Sequence, residues 1–375
     1  MVNTIKLGNS LKKKGFNFYS GVPCSSLSSL INFAINECNY VMAANEGDAV
    51  AISAGAYLGG EKSVILFQNS GLTNAISPLT SLNYSFKIPV LGFTSLRGEP
   101  GISDEPQHEL MGQITGELLT TMQIEWEYLA DSDDKVEEQL ERANTVIENG
   151  KSFFFIVKKG KLEAVELKPQ ELINSNNCRR VVETSKSEKP SRRKALRSVN
   201  KFKDSETLFY ATTGKTGREL YEVEDCENNL YMVGSMGCVS SLGLGTALVS
   251  EKKIITIDGD GALLMRMGSL TTNAYYKPNN LLHILLDNNT HDSTGGQFTV
   301  SHNINFVEIA ASSGYEVSLF AHNVKELEEY LEEWKLNPVL TFIHIKTEKG
   351  SPIDLVRPSI KPFEVKERLM NFISK

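Results

Sequence analysis

The sequence predicts an α/β protein of two domains, each a mostly parallel sheet covered by helices on both faces. Three observations predict it. Short, nearly unbroken apolar runs alternate with segments of helical periodicity, the signature of strands buried on both faces and joined by helical crossovers. That alternation lapses once, across a polar and charged stretch between about residues 168 and 190. The length of 375 residues suits two domains at roughly 150 residues each.

In the first half, buried strands are expected at Phe16–Ser20, Tyr40–Ala44, Ser63–Phe67, Ile88–Thr94 and Ser152–Val157. Helical patterns lie between them, as at Ser25–Asn36 and Glu46–Leu58. After Leu167 the chain turns to NSNNCRRVVETSKSEKP, which reads as a solvated tether containing the basic pair Arg179 and Arg180. In the second half a basic helix is expected over Ser191–Lys203. Strands follow at Thr207–Ala211, Leu230–Val233, Lys253–Ile257, Leu281–Leu286, Tyr315–Leu319 and Val339–Lys346, with an amphipathic surface helix at Glu326–Trp334. The expected division is therefore a domain over 1–167, a linker over 168–190 and a domain over 191–375. The halves share no evident sequence repeat.

Composition narrows the function classes. Thirty-nine basic residues against 46 acidic ones leave a net charge of −7, which argues against a polyanion-binding protein, since such affinity comes from Lys and Arg at phosphates. The five cysteines are an odd number without CxxC spacing, so reduced thiols are expected rather than disulfides or a zinc site. No apolar run approaches the ~18 residues of a membrane span, and the first 16 residues lack a signal-peptide core. The expectation is a cytoplasmic protein with no nucleic-acid and no membrane partner.

The strongest chemical signal begins where the strand Ile254–Ile257 ends, at Asp258-Gly259-Asp260-Gly261. A helical segment and another strand follow, and then Asp287-Asn288-Asn289, with Asn288 lying 28 residues after Asp260. A carboxylate flanked by glycines at a strand's C-terminal end can offer both its oxygens and backbone N–H groups to a ligand. The Asn288 carboxamide would face the same crevice. Carboxylate, amide, carbonyl and phosphate oxygens make a hard octahedral set suited to Mg²⁺.

This arrangement resembles the thiamin diphosphate motif, and the resemblance extends through both halves. The segments Gly21-Val22-Pro23-Cys24-Ser25, Asn45-Glu46-Gly47-Asp48-Ala49, Arg97-Gly98-Glu99-Pro100-Gly101 and Asp104-Glu105-Pro106-Gln107-His108 carry it in the first half. In the second half Thr213-Gly214-Lys215-Thr216, Gly234-Ser235-Met236-Gly237 and Ser293-Thr294-Gly295-Gly296-Gln297 do so. Together they are similar to the phosphonopyruvate decarboxylases, near relatives of the sulfopyruvate decarboxylases. The resemblance implies two thiamin diphosphate-binding-fold domains, pyrimidine-binding first and diphosphate-binding second. It implies decarboxylation of 3-phosphonopyruvate to phosphonoacetaldehyde and CO₂ in phosphonate biosynthesis, with thiamin diphosphate and Mg²⁺ as cofactors. The alternatives are sulfopyruvate or another 2-oxo acid as substrate. A homodimer or higher homo-oligomer is implied, with the cofactor at the subunit interface.

The resemblance also implies roles. Glu46 is the catalytic carboxyl that hydrogen-bonds the cofactor's aminopyrimidine; its competing reading is a glutamate favoured by the helix macrodipole. Thr213, Gly234, Ser235, Met236, Gly259, Gly261 and Ala262 are expected around the cofactor, with Met236 as an apolar wedge. Asp260, Asn288 (in preference to Asn289) and the Thr290 carbonyl are expected metal ligands. His108 is the second catalytic candidate, against a surface-loop histidine. Ser25, Arg97 and His291 are candidate substrate contacts, with Asp292 a further one, and Ser25 has the competing reading of a helix cap. Gly214-Lys215-Thr216 is not read as a P-loop, because Phe209 stands at the first Walker position. Gly243-Leu244-Gly245 is not a dinucleotide fingerprint, which weakens the rival reading of a nucleotide-binding regulator. His283 is expected as a core residue, and His302, His322 and His344 show no metal-ligand spacing.

Overall fold

The computed structural model describes residues 1–185 and 187–375. The chain divides into two compact units, Met1–Leu172 and Ile173–Lys375. The first holds six strands: β1 (Phe16–Gly21), β2 (Asn39–Met42), β3 (Lys62–Gln68), β4 (Leu91–Ser95), β5 (Glu125–Tyr128) and β6 (Phe153–Val157). They form one sheet in the order β2-β1-β3-β4-β6-β5, parallel at every pairing.

The second unit holds β7 (Arg179–Val181), β8 (Thr207–Ala211), β9 (Asn229–Tyr231), β10 (Lys253–Gly259) and β11 (Leu281–Asp287). A two-stranded hairpin, β12 (Thr290–His291) with β13 (Gln297–Phe298), follows, and then β14 (Val317–Ala321) and β15 (Thr341–Lys346). The main sheet runs β7-β14-β15-β11-β10-β8-β9, again parallel throughout. With the edge strand β7 set aside, both units follow one topology.

The central strands are buried along their whole length, as Phe153–Val157 and Leu281–Asp287 show, because helices cover both faces of a parallel sheet. The helix Glu46–Leu58 is rich in small residues and almost wholly buried. Asn45 starts it by accepting from the Asp48 N–H at 3.1 Å, an N-cap bond.

Several sequence expectations shift. β4 begins at Leu91 rather than Ile88; Pro89, lacking an N–H, cannot donate to the ladder. β5 was not foreseen, because Glu125-Trp126-Glu127-Tyr128 is a half-polar edge strand without a continuous apolar run. The stretch 168–190 is not simply a tether. At its start, Lys168 N–H donates to Asn36 Oδ1 at 2.9 Å. Further on, Arg179–Val181 forms β7, and Asn177 Nδ2 donates to the Tyr315 carbonyl at 2.7 Å. The basic pair is spent on ion pairs, Arg179 with Glu333 and Arg180 with Glu308. These pairings recruit the segment to the sheet edge despite its polar composition. All five cysteines are free thiols. Among the described residues no helix is long and apolar enough to cross a membrane.

The first sheet's core is sensitive to aromatic volume. Phe154 is fully buried, with its ring 6.1 Å from that of Phe67. Phe154→Ala should lower the unfolding free energy by about 3–5 kcal/mol, measured by denaturant titration.

Candidate active site

In a parallel sheet, ligands bind beyond the strand C-termini where the strand order reverses. The reversal falls between β8 and β10 in the second unit. A cleft opens there, lined by Thr213, Met236, Gly259, Asp260, Gly261, Ala262, Asn288, Thr290 and His291 among others. Gly234 and Ser235 precede Met236 on the same turn after β9, without lining the cleft.

Asp260 is 2% exposed. One carboxylate oxygen accepts from Ser301 Oγ at 3.0 Å and from Thr299 Oγ1. Among the described residues no Lys or Arg pairs with it. Burial pushes its carboxyl above the usual range and nearby Asp287 adds to this, against the lowering effect of the hydroxyl bonds. Asn288 Oδ1 accepts from the Thr290 N–H at 3.1 Å, while its Nδ2 donates to Asp292 Oδ2 at 2.6 Å. Asn289 turns away from the cleft, its amide donating to Asp287 Oδ1 at 3.0 Å and Ser301 Oγ at 2.7 Å.

Among the described residues no three His, Cys, Asp or Glu side chains could hold a metal ion. The donors gathered here are one carboxylate, one carboxamide and a backbone carbonyl, a set for a hard cation that completes its shell with phosphate oxygens or water. A buried carboxylate without a counter-charge fits such an ion.

The cleft also fits a diphosphate. The helices Lys215–Val223 and Asp260–Met265 both begin on it without a side-chain cap, leaving N–H groups open to an anion. The Thr212 hydroxyl, buried on the same wall, has no partner among the described residues. The His291 ring lies close against Gly261, where a Cβ would fall 2.5 Å from it.

Several cleft residues are not among the site residues that the sequence reading names, although Gly214, Lys215 and Thr216 stand in one of its motifs. Gly214, Lys215 and Thr216 line the cleft, although they form no P-loop; a glycine leading directly into a helix was the available signal. Arg192 is another, and nothing in its local pattern marks it. Its guanidinium donates to Asp292 Oδ2 at 2.6 Å, so Asp292 is engaged by a neighbour on the cleft wall rather than free for substrate. His283 is fully buried, its Nδ1 3.4 Å from the Tyr315 hydroxyl, and His344 Nε2 lies 3.1 Å from Asp287 Oδ2.

In the first unit the strand order reverses between β1 and β3. Cys24, buried after β1, contacts Ser95 Oγ at 3.3 Å. Ser25 is exposed and opens a short 3₁₀ turn in which no side chain caps the end, so the helix-cap alternative does not hold. Glu46, following β2, rests on Gly71, where a Cβ would fall 2.2 Å from its Oε1. Its Oε2 accepts from Asn74 Nδ2 at 2.8 Å, so the carboxylate is oriented by specific contacts as well as by its place at a helix start.

Arg97 is not free to grip an anion with its full fork. Its Nε donates to Asp104 Oδ2 at 2.7 Å, a second nitrogen reaches Oδ1, and the Gly98 N–H joins at 2.8 Å. These bonds hold the Asp104 carboxyl well below the usual carboxylate range. Asn69 clamps the Arg97 backbone, its Nδ2 donating to the Arg97 carbonyl at 2.9 Å. His108 is not a surface-loop residue: it is 8% exposed, and its buried Nδ1 has no partner among the described residues.

Comparison with known proteins identifies the family. Residues 214–345 match the family model of the thiamine pyrophosphate enzyme, C-terminal TPP binding domain. The chain is 35% identical to a phosphonopyruvate decarboxylase from Streptomyces viridochromogenes, over 100% of this chain and 96% of that protein. It is 32% identical to a sulfopyruvate decarboxylase from Methanosarcina acetivorans, over 91% of this chain and 90% of that one. Among solved structures, benzoylformate decarboxylase from Polynucleobacter necessarius shares the fold, with a TM-score of 0.74 at 12% identity, covering 94% of this chain and 100% of that one. The chain belongs to the phosphonopyruvate decarboxylase family and is a thiamin diphosphate-dependent decarboxylase, a carboxy-lyase of the phosphonopyruvate and sulfopyruvate type.

Proposed function

We propose that this enzyme converts 3-phosphonopyruvate to phosphonoacetaldehyde and CO₂ in phosphonate biosynthesis, using thiamin diphosphate held with Mg²⁺. The observation that carries the substrate choice is the match to a phosphonopyruvate decarboxylase along the whole chain. Sulfopyruvate is the second reading, favoured by the 32% identity to a sulfopyruvate decarboxylase. The two substrates share the 2-oxo acid and differ in the charge of the distal group.

In this reading Asp260, Asn288 and the Thr290 carbonyl hold Mg²⁺. With Thr213 and Gly259, the turn at Gly261 and Ala262, which opens a helix, binds the diphosphate, an anion suited to helix N-termini. Met236, with Gly234 and Ser235 on the same turn, supports the organic part of the cofactor from below. Bound thiamin diphosphate supplies a carbon nucleophile and a ring that accepts an electron pair as CO₂ departs. Glu46 carries a proton at the carboxyl oxygen that Asn74 leaves open, and shares it with the pyrimidine ring nitrogen. His108 moves a proton at its unpartnered Nδ1, a role that suits imidazole near neutral pH. Ser25 and His291 orient the substrate's carboxylate and keto group. Arg97 meets the distal acid group with the part of its guanidinium that Asp104 does not occupy.

Glu46 lies in the first unit and the cleft in the second, and the proposal gives each cofactor a Glu46 from one chain and a cleft from another. The active unit is then a homodimer or a larger homo-oligomer, working in the cytoplasm.

Three outcomes follow. Purified enzyme should turn over 3-phosphonopyruvate faster than sulfopyruvate in a coupled aldehyde assay; the reverse preference overturns the substrate assignment. Glu46→Gln should retain thiamin diphosphate in calorimetry while slowing hydrogen exchange at the cofactor's thiazolium C2 by about 10²–10⁴-fold, followed by NMR. Undiminished exchange removes the role of Glu46. Co-expressed Glu46→Gln and Asp260→Ala chains should recover activity that neither homo-oligomer shows, because a mixed pair contains one intact site; no recovery counts against the shared site.

A further inference from the structure

On the cleft wall, Asn288 is tied to two largely buried residues, Asp292 and Arg192, that the proposed reaction leaves without a task. Asp292 Oδ2 accepts from Asn288 Nδ2 at 2.6 Å, from Arg192 Nη2 at 2.6 Å and from the Gly350 N–H at 3.1 Å. Its other oxygen accepts from Thr290 Oγ1 at 3.0 Å. Arg192 also donates to Glu219 at 2.8 Å. The side chains of Arg192 and Asp292 are 7% and 8% exposed. We infer that Asp292, braced by Arg192, is a positioning residue that selects the orientation of the Asn288 carboxamide, so that a divalent cation meets oxygen and not nitrogen. The inference rests on the reading of Asp260, Asn288 and Thr290 as the cation's ligands.

A carboxamide is nearly symmetric in shape, but only its oxygen can ligate a hard cation. Two contacts remove the ambiguity. The carboxylate of Asp292 can only accept, and so demands the NH₂ end. The Thr290 N–H can only donate, and so demands the oxygen end. A flipped Asn288 would set oxygen against carboxylate and NH₂ against N–H, losing both bonds. In the observed orientation Oδ1 spends one lone pair on Thr290 and keeps the other.

Asp292 also braces Thr290 itself, so one carboxylate steadies two of the three proposed ligands. Left open, that carboxylate would be a hard anion competing for the same cation. Arg192, Gly350 and Asn288 fill the acceptor positions of Oδ2 and neutralise it. Outer partners of this kind commonly set ligand orientation in metal sites.

The test uses the full-length enzyme with thiamin diphosphate, reading the Mg²⁺ dissociation constant by calorimetry and the Mn²⁺ environment by electron paramagnetic resonance. Asp292→Ala, and the gentler Asp292→Asn, should weaken Mg²⁺ binding by about tenfold to a hundredfold, with altered Mn²⁺ hyperfine structure. Asp260→Ala serves as the reference. If Asp260→Ala weakens binding and both Asp292 variants stay within about twofold of wild type, the positioning role is overturned and the ligand reading stands. If Asp260→Ala also has no effect, the ligand reading falls and the inference with it. In an Asn288→Asp background both ends of the side chain are oxygen and no orientation remains to select. The penalty of Asp292→Asn should then vanish or reverse; an undiminished, additive penalty identifies a merely structural role and overturns the inference.

Discussion

A buried carboxylate without a counter-charge organises the second unit. Asp260 stands at the C-terminal end of β10, nearly sealed from solvent, with two hydroxyls and the Gly261 N–H as its hydrogen-bond donors and Asp287 close enough to repel its charge. Desolvating an ionised carboxyl is costly unless positive charge compensates it. The surroundings are built for that compensation to arrive from outside. Two helix N-termini open on the cleft, the Asn288 oxygen is held on its wall by the Thr290 N–H, and Arg192, on the same wall, is committed to Asp292 and Glu219. A cation accompanied by a diphosphate satisfies all of these at once.

The position of the cleft follows from topology. In both units the strand order reverses beside the first strand, so two successive crossovers pass to opposite faces and leave a crevice between their loops. In the second unit that crevice receives Thr213 and Gly214 from one loop and Gly259 to Ala262 from the other. In the first, the matching loops bring Cys24 beside Ser95 and set Glu46 against Gly71 and Asn74. The segment after β2 carries Glu46 and the segment after β9 carries Met236, so the two stand at one architectural position of the shared topology.

How much was legible in the sequence depended on whether the cause was local. The central strands were readable because burial on both faces leaves unbroken apolar runs. β5 and β7 were not, because edge strands tolerate polar residues and owe their existence to a partner far along the chain. Asp260 and Asn288 stood out through their spacing across a single strand–helix–strand unit. Arg192 carried no such mark, since its partner Asp292 is 100 residues away. The fork of Arg97 looked available for an anion, and only the folded loop shows Asp104 occupying it. His108 looked as suited to a surface loop as to a site, and its burial sets aside the surface reading alone.

By itself the sequence determined the fold class, the two-unit plan and the residues carrying the cofactor motif. Each of these is written in periodicity, or in short spacings that the chain's own stiffness converts into proximity. The tertiary structure alone decided which of those residues share a cleft, which are spent on internal partners and which way the Asn288 amide faces. Those outcomes depend on contacts between segments far apart in the chain, where a carboxylate or an N–H supplied by a distant residue fixes what a side chain has left to offer.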